Sequence, residues 1–124
     1  MKVFVYGTLK IGRNNSHLLR TAKYLGDAVT SDRYTMFCVG FPVIMPDRNG
    51  HQVAGEVYEV DAETAYNLDR LEARGRMYDR VRKYVRMVDT GKLVRLYYYV
   101  GRPDYWSIRE RKVQPMQNLL QWGT

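Results

Sequence analysis

A single segment of helical character, residues 61–73, lies among short runs of β-branched and aromatic residues. Asp61 is a suitable N-cap, because its carboxylate can accept hydrogen bonds from the free amides of a first helical turn. Glu63 suits the positive end of the helix dipole, and Gly75 can take the left-handed conformation that ends a helix. One helix among many strands predicts an α+β domain with a strongly curved or closed sheet.

The strands are predicted from apolar runs that are bounded by glycine, proline and turn residues. They span residues 2–6, 24–31, 34–39, 43–45, 52–60, 80–88 and 93–100, with a short helix near 16–19. Asn49-Gly50 predicts a hairpin turn, and residues 89–92 predict a second one. The strand 80–88 alternates apolar with basic or aromatic residues, which indicates a hairpin with one face in solvent.

The length of 124 residues predicts one domain, with a core over about 2–100 and a tail over 101–124. The hydrophobic content of 45% and charged content of 27% are typical of a soluble folded protein. No apolar run approaches the roughly 20 residues that span a bilayer, so no membrane association is expected. The opening residues 1–7 contain too short an apolar stretch for a secretory signal, and a cytoplasmic location is expected.

The formal charge of +7 favours anionic partners in general, including phosphates, nucleic acids and small acids. Seven basic residues lie between Arg70 and Arg86. Basic residues on an exposed strand face are usually just solvated, so nucleic-acid binding is the least favoured functional alternative.

Cysteine and histidine are too sparse for several common kinds of site. Only Cys38, His17 and His51 are present, without the close spacing of zinc ligands or a recognisable nucleophile–base pair. Gly7 and Gly12 lack the spacing of a dinucleotide fingerprint and the lysine of a P-loop. We therefore predict neither a metal nor a cofactor.

Glu72 falls on the apolar stripe of the predicted helix, since Ala65, Leu68 and Glu72 follow the helical period. An ionised carboxylate there is unfavourable unless it is paired, hydrogen-bonded or protonated. Two interpretations stay open. Burial and the negative helix end could raise its pKa, which suits a proton shuttle near neutral pH. Alternatively, Glu72 forms a salt bridge with an arginine such as Arg74 or Arg76.

Three motifs in this order resemble the γ-glutamyl cyclotransferase-like family, nearest to its γ-glutamylamine cyclotransferase branch, over roughly residues 2–100. They are Val5-Tyr6-Gly7-Thr8-Leu9-Lys10, Gly55-Glu56-Val57-Tyr58, and Leu68-Asp69-Arg70-Leu71-Glu72 followed by Tyr78-Asp79-Arg80. The resemblance implies a small mixed β-barrel with flanking helices and a cavity at its mouth. It also implies release of 5-oxoproline and a free amine or amino acid from a small γ-glutamyl substrate.

The resemblance assigns the site residues as well. Glu72 corresponds to the family's general acid/base. The loop Tyr6-Gly7-Thr8-Leu9 corresponds to the segment that binds the glutamyl portion, with Tyr6 and Tyr78 expected either to line the pocket or to serve as core packing. No protein nucleophile is needed, because the substrate's own α-amine attacks its γ-carbonyl.

Two departures from the family pattern bear on the substrate. Ala73 stands where relatives commonly have glycine, and the following residues 74–77 are unusually basic. Arginines beside the pocket could lower the pKa of Glu72 or favour an acidic leaving group. A non-catalytic small-molecule-binding module on the same fold is the alternative function, and the sequence specifies neither the leaving amine nor the oligomeric state.

Overall fold

A computed structural model describes residues 1–7, 16–38, 41–106, 111–112 and 119–121. Its strands are β1 (Lys2–Val5), β2 (Lys23–Thr30), β3 (Tyr34–Cys38), β4 (Pro42–Pro46), β5 (Gln52–Glu59), β6 (Tyr78–Met87), β7 (Leu93–Gly101), β8 (Arg111–Lys112) and β9 (Leu119–Leu120). A 3-10 helix covers Ser16–Leu19, and the α-helix α1 covers Ala62–Leu71. Among the described helices, none has the length and apolar content needed to cross a bilayer.

The larger sheet closes into a small mixed barrel. Its strands follow the order β1, β7, β6, β2, β5, and β5 pairs back onto β1. The β1–β7 pairing is parallel, whereas β1–β5, β5–β2, β2–β6 and β6–β7 are antiparallel. The short strand β9 pairs in parallel with the start of β5. The predicted α+β fold with a curved, closed sheet is therefore correct.

The predicted hairpin at Asn49-Gly50 is wrong, although a turn does form there. Strand β4 pairs with β3 in a second, three-stranded sheet completed by β8, while β5 belongs to the barrel. The turn is stabilised by a local hydrogen bond, which the Asn49 amide donates to Oδ1 of Asp47 at 2.9 Å. Gly50 is needed for close approach, since a Cβ there would lie 2.2 Å from the carbonyl oxygen of Tyr34.

The β6–β7 hairpin is confirmed, with a register that runs from Tyr78↔Gly101 to Arg86↔Leu93. Val85 is buried, and Val81 and Met87 pack against the same interior cluster. Arg82, Tyr84 and Arg86 on alternate positions are exposed. One face of this hairpin is therefore in solvent, as the alternation predicts.

The helix α1 packs against the outside of the barrel. Asp61 caps it by accepting the Thr64 amide at 2.7 Å, as predicted. Ala65 and Leu68 are buried in a cluster with Val3 and Val5 of β1. A separate cluster fills the barrel interior. Because α1 covers β1, its carboxyl end lies beside the point where the chain leaves β1.

Candidate active site

A cavity of about 190 Å³ lies where the end of α1 meets the end of β1. It is smaller than the roughly 300–1,000 Å³ typical of drug-sized ligand pockets, so it suits a small molecule. Four of the predicted site residues, Tyr6, Gly7, Glu72 and Tyr78, line it. Its other described lining residues are Phe4, Val5, Phe41, Pro42, Leu71, Met77 and Tyr99.

Gly7 is positioned by β1 and packs tightly on Pro42. A Cβ at Gly7 would lie 2.8 Å from Cγ of Pro42, closer than carbon atoms can pack without movement. Glycine therefore allows the backbone to approach the cavity wall at this point. Thr8 and Leu9, the rest of the predicted binding loop, lie outside the described residues.

Glu72 is placed by the way in which α1 ends. It is the C-cap residue, and Ala73 takes a left-handed conformation with φ of 47°. The Arg74 amide donates to the Asp69 carbonyl at 3.0 Å and the Ala73 amide to the Arg70 carbonyl at 3.2 Å. This pair of bonds is a Schellman motif. It turns the chain away after Glu72 and leaves the carboxyl on the stripe that continues from Ala65 and Leu68.

The carboxyl of Glu72 is partly buried and titrates near neutrality. Burial raises its pKa from 4.5 to about 7, because removing a carboxylate from water disfavours the ionised form. Among the described residues, no cation pairs with Glu72. The arginines instead converge on Asp69, with Arg74 Nη1 at 3.2 Å and Arg80 Nη1 at 3.3 Å from Oδ2. Of the two interpretations of Glu72, this geometry favours the proton shuttle.

The hydroxyls of Tyr6 and Tyr78 at the cavity each donate a hydrogen bond to a backbone carbonyl. Tyr6 donates to the carbonyl of Tyr99 at 2.7 Å, and Tyr78 donates to the carbonyl of Pro42 at 3.3 Å. Burial raises the pKa of both phenols, and the charge of nearby Glu72 adds to the shift. Both hydroxyls are therefore neutral at physiological pH. Tyr6 and Tyr78 are at once core residues and cavity lining, so the two expectations for them coincide.

Two residues that shape the site, Asp69 and Trp106, are not among the site residues predicted from the sequence. Asp69 accepts the Tyr99 hydroxyl at 2.6 Å in addition to its two arginines. Trp106 donates its indole N–H to the Met77 carbonyl at 2.9 Å and packs edge-on against Phe41 and Tyr78. The tail after residue 100 contains Trp106 and Trp122, whose large aromatic rings need an apolar surface to pack on. Trp122 lies outside the described residues.

Comparisons with known proteins place the chain in a family. The model of the family described as γ-glutamyl cyclotransferase, AIG2-like, matches residues 3–122. The chain belongs to this family. Membership of this family explains why the chain carries the three motifs and why it folds as a barrel with a single described α-helix.

Two of the named relatives come from a bacterium and a mammal. The γ-glutamylcyclotransferase family protein YtfP of Escherichia coli K12 is 42% identical over 81 residues, which cover 64% of this chain and 69% of YtfP. The γ-glutamylaminecyclotransferase of Bos taurus is 41% identical over 93 residues, which cover 67% of this chain and 55% of the bovine protein. The crystal structure of an AIG2-like protein from Mus musculus superposes with a TM-score of 0.75 at 29% identity, covering 84% of this chain and 80% of that one.

Several of the basic residues between positions 70 and 86 are paired with carboxylates. Arg74 and Arg80 pair with Asp69, and Lys83 pairs with Asp32 at 3.4 Å. Arg82 and Arg86 remain on the exposed face of β6. This distribution is typical of a solvated strand face.

Proposed function

We propose that this protein cyclises a γ-glutamyl amine or peptide to 5-oxoproline and releases the amine, with Glu72 as the general acid/base. The observation that carries the proposal is the Glu72 carboxyl, which titrates near pH 7 in a small cavity bordered by Tyr6, Gly7 and Tyr78. Family membership supports the reaction class.

The reaction requires proton transfer but no protein nucleophile. Ionised Glu72 takes a proton from the substrate's α-ammonium, and the free amine attacks the γ-carbonyl carbon. The new C–N bond closes the five-membered ring, and the bond from the γ-carbon to the departing nitrogen breaks. The attacking nitrogen loses two protons in the course of the reaction, and the departing nitrogen gains two. Glu72 thus ends in the state in which it began.

The raised pKa of Glu72 makes it a better base for this task. A carboxylate with the ordinary glutamate pKa of 4.5 is a much weaker base than the substrate's α-amine. Proton transfer from the α-ammonium to such a carboxylate is therefore strongly unfavourable. A pKa of about 7 removes about 3 kcal/mol of that difference. Because the described lining contains no arginine or lysine, no cation in this part of the chain lowers the pKa again.

The remaining rate acceleration comes from orientation and from the backbone at Gly7. Holding the amine against its own carbonyl can contribute about 7–11 kcal/mol in favourable intramolecular cases. In this mechanism the Gly7 amide, together with the amides of Thr8 and Leu9, binds the substrate carboxylate or the developing oxyanion. Tyr6 and Tyr78 act as walls that exclude water, because their protons are already donated to backbone carbonyls.

A direct test uses the Glu72→Gln variant, which keeps the shape of the side chain. Release of 5-oxoproline from a panel of γ-glutamyl amines and peptides is expected to fall by at least about 10²-fold, with unchanged circular dichroism. Glu63→Gln, an exposed carboxyl in the first turn of the same helix, is the matched control and should retain full activity. A fully active Glu72→Gln variant would remove this mechanism. Binding of the panel by the parent protein without any product would instead identify a non-catalytic binding module.

A further inference from the structure

The outer side of the β6–β7 hairpin carries arginine and tyrosine side chains next to one another. Alternate residues of the two strands pack into the barrel interior, so the residues between them lie on the outer side. The strand register joins six of these outer residues in three cross-strand pairs. They are Arg82 with Tyr97, Tyr84 with Arg95, and Arg86 with Leu93. We call these six residues the arginine–tyrosine face.

Most of the arginine–tyrosine face is open to solvent. Its three arginines are exposed, and Tyr84 is 50% exposed. Tyr97 is half-buried, and the guanidinium of Arg82 lies 5.6 Å from the centroid of its ring. Tyr84 has no such neighbour among the described residues. Its ring is therefore available to stack with a planar ligand.

The charges on this face are all positive. Solvated surfaces usually intersperse charges of both signs, but none of the six positions is acidic. Within the described part of the chain, the three arginines form no ion pair. The acid beyond the edge of the face, Asp27 of β2, accepts the Tyr24 hydroxyl at 2.7 Å. The face therefore attracts anionic ligands.

The arrangement of these groups suits one kind of polyanion. Residues on the same side of a strand lie about 6.6–6.8 Å apart, and neighbouring strands lie about 4.8 Å apart, so guanidinium groups adjoin the Tyr84 ring. Single-stranded nucleic acid offers phosphates to the arginines and flat bases to the ring. An acidic peptide or a duplex would pair with the arginines only, because a duplex presents base edges rather than base faces.

We propose that the arginine–tyrosine face binds single-stranded nucleic acid, with the phosphates along the arginines and a base stacked on Tyr84. A basic strand face alone is usually just solvated. Strand β7 adds a third arginine beside an exposed ring, and this combination is what distinguishes the face. None of the six residues lines the cavity that contains Glu72, so this inference is independent of the proposed function.

The electrostatic part is tested with fluorescein-labelled single-stranded RNA and DNA of 15 nucleotides, by fluorescence anisotropy. Three phosphate contacts predict a slope of log K against log salt of about −2, which weakens binding about 20-fold between 50 and 200 mM salt. Replacing Arg82, Arg86 and Arg95 together by glutamine should lower the affinity at 50 mM salt at least about tenfold. Binding to neither oligonucleotide below about 100 μM parent protein would overturn the proposal.

The matched control replaces Arg20, Arg33 and Arg48 by glutamine. These exposed arginines lie outside the β6–β7 hairpin, after the 3-10 helix and in the turns before β3 and β5. The control loses the same total charge and should keep its affinity within about threefold of the parent. Equal losses in the two triple variants would mean that the net charge of the chain, rather than this face, binds the oligonucleotide.

The stacking part is tested with Tyr84→Leu, which removes the ring and keeps every charge. Its affinity should fall at least about fivefold. Tyr66→Leu, at a position of α1 that is 62% exposed, is the control and should bind as the parent does. Circular dichroism checks that all variants fold. Unchanged binding by Tyr84→Leu, or equal competition by a duplex of the same length, would overturn the assignment to single strands.

Discussion

The hydroxyl of Tyr99 donates a 2.6 Å hydrogen bond to Oδ1 of Asp69. Asp69 lies one helical turn before Glu72, and Tyr99 lines the cavity into which Glu72 faces. Because Asp69 also pairs with Arg80 of β6 at 3.3 Å, this carboxylate ties the last turn of α1 to two barrel strands. We therefore expect Asp69 to be a positioning residue on which the placement of Glu72 depends.

Removing the Tyr99 hydroxyl tests this positioning role. A hydrogen bond to a charged group contributes about 1.5–3 kcal/mol, so Tyr99→Phe should lower the free energy of unfolding by about that amount. It should also lower kcat more than it changes KM, since Glu72, the proposed proton-transfer group, is displaced while the lining is kept. Urea denaturation and steady-state kinetics measure the two effects.

The control for that variant is Tyr97→Phe, because Tyr97 also lies on β7 but lines no part of the cavity. Its ring stacks with Arg80 and Arg82, and these contacts survive the loss of a hydroxyl. A change below about 0.5 kcal/mol is expected. Equal losses of stability and of kcat in both variants would mean that the Asp69 bond has no special role.

The activity should follow the ionisation of Glu72. In the proposed mechanism only its ionised form accepts the first proton, and burial raises its pKa to about 7. The rate of 5-oxoproline release at low substrate concentration should therefore rise about tenfold per pH unit below this value and level off above it. An inflection near 4.5, the ordinary value for glutamate, would show that the side chain is hydrated in the working enzyme.

The same pKa predicts how stability varies with pH, independently of activity. Between pH 4.5 and about 7 the folded protein keeps the Glu72 proton, while the unfolded chain has lost it. Because the folded state then binds more protons, the free energy of unfolding falls as pH rises through this window. The loss approaches about 3 kcal/mol above pH 7.

Glu72→Gln removes this titration and isolates the effect. The variant and the parent should be about equally stable near pH 4, and the variant should be more stable by up to about 3 kcal/mol near pH 8. For Glu63→Gln, the difference from the parent should vary by less than about 0.5 kcal/mol over the same range. Urea denaturation at the two pH values suffices, and a pH-independent difference for Glu72→Gln would mean that its carboxyl is not desolvated.

Local patterns in the sequence predict the parts of this fold that depend on neighbouring residues. The stripe of Ala65, Leu68 and Glu72 follows from the helical period alone, and the N-cap at Asp61 follows from its side chain. The β6–β7 hairpin is similarly local, since its strands are adjacent in the chain. These features were predicted correctly for that reason.

Contacts between distant segments could not be predicted in this way. The turn at Asn49-Gly50 is local, but the partner of β4 depends on which sheet edges are free, and β5 is already paired with β1 and β2. The bond between Asp69 and Tyr99 spans 30 positions, and no spacing rule selects that pair. Arg74 and Arg80 pair with Asp69 rather than with Glu72. This pairing can therefore be recognised only in the three-dimensional structure.

Ala73 offers a prediction about the helix end itself. Its φ of 47° lies in the left-handed region, which costs a residue with a Cβ roughly 1–2 kcal/mol. Glycine would avoid that cost but would add some freedom to the unfolded chain. Ala73→Gly should therefore raise the free energy of unfolding by about 0.5–1 kcal/mol.

The same substitution at the other end of the helix provides the contrast. Ala62 is exposed at the first position of α1 and has no left-handed conformation, so Ala62→Gly should lower stability by up to about 1 kcal/mol. Thermal unfolding of the two variants beside the parent measures both signs in one experiment. If Ala73→Gly were destabilising as well, the left-handed turn that aims Glu72 at the cavity would not be the conformation of the helix end in solution.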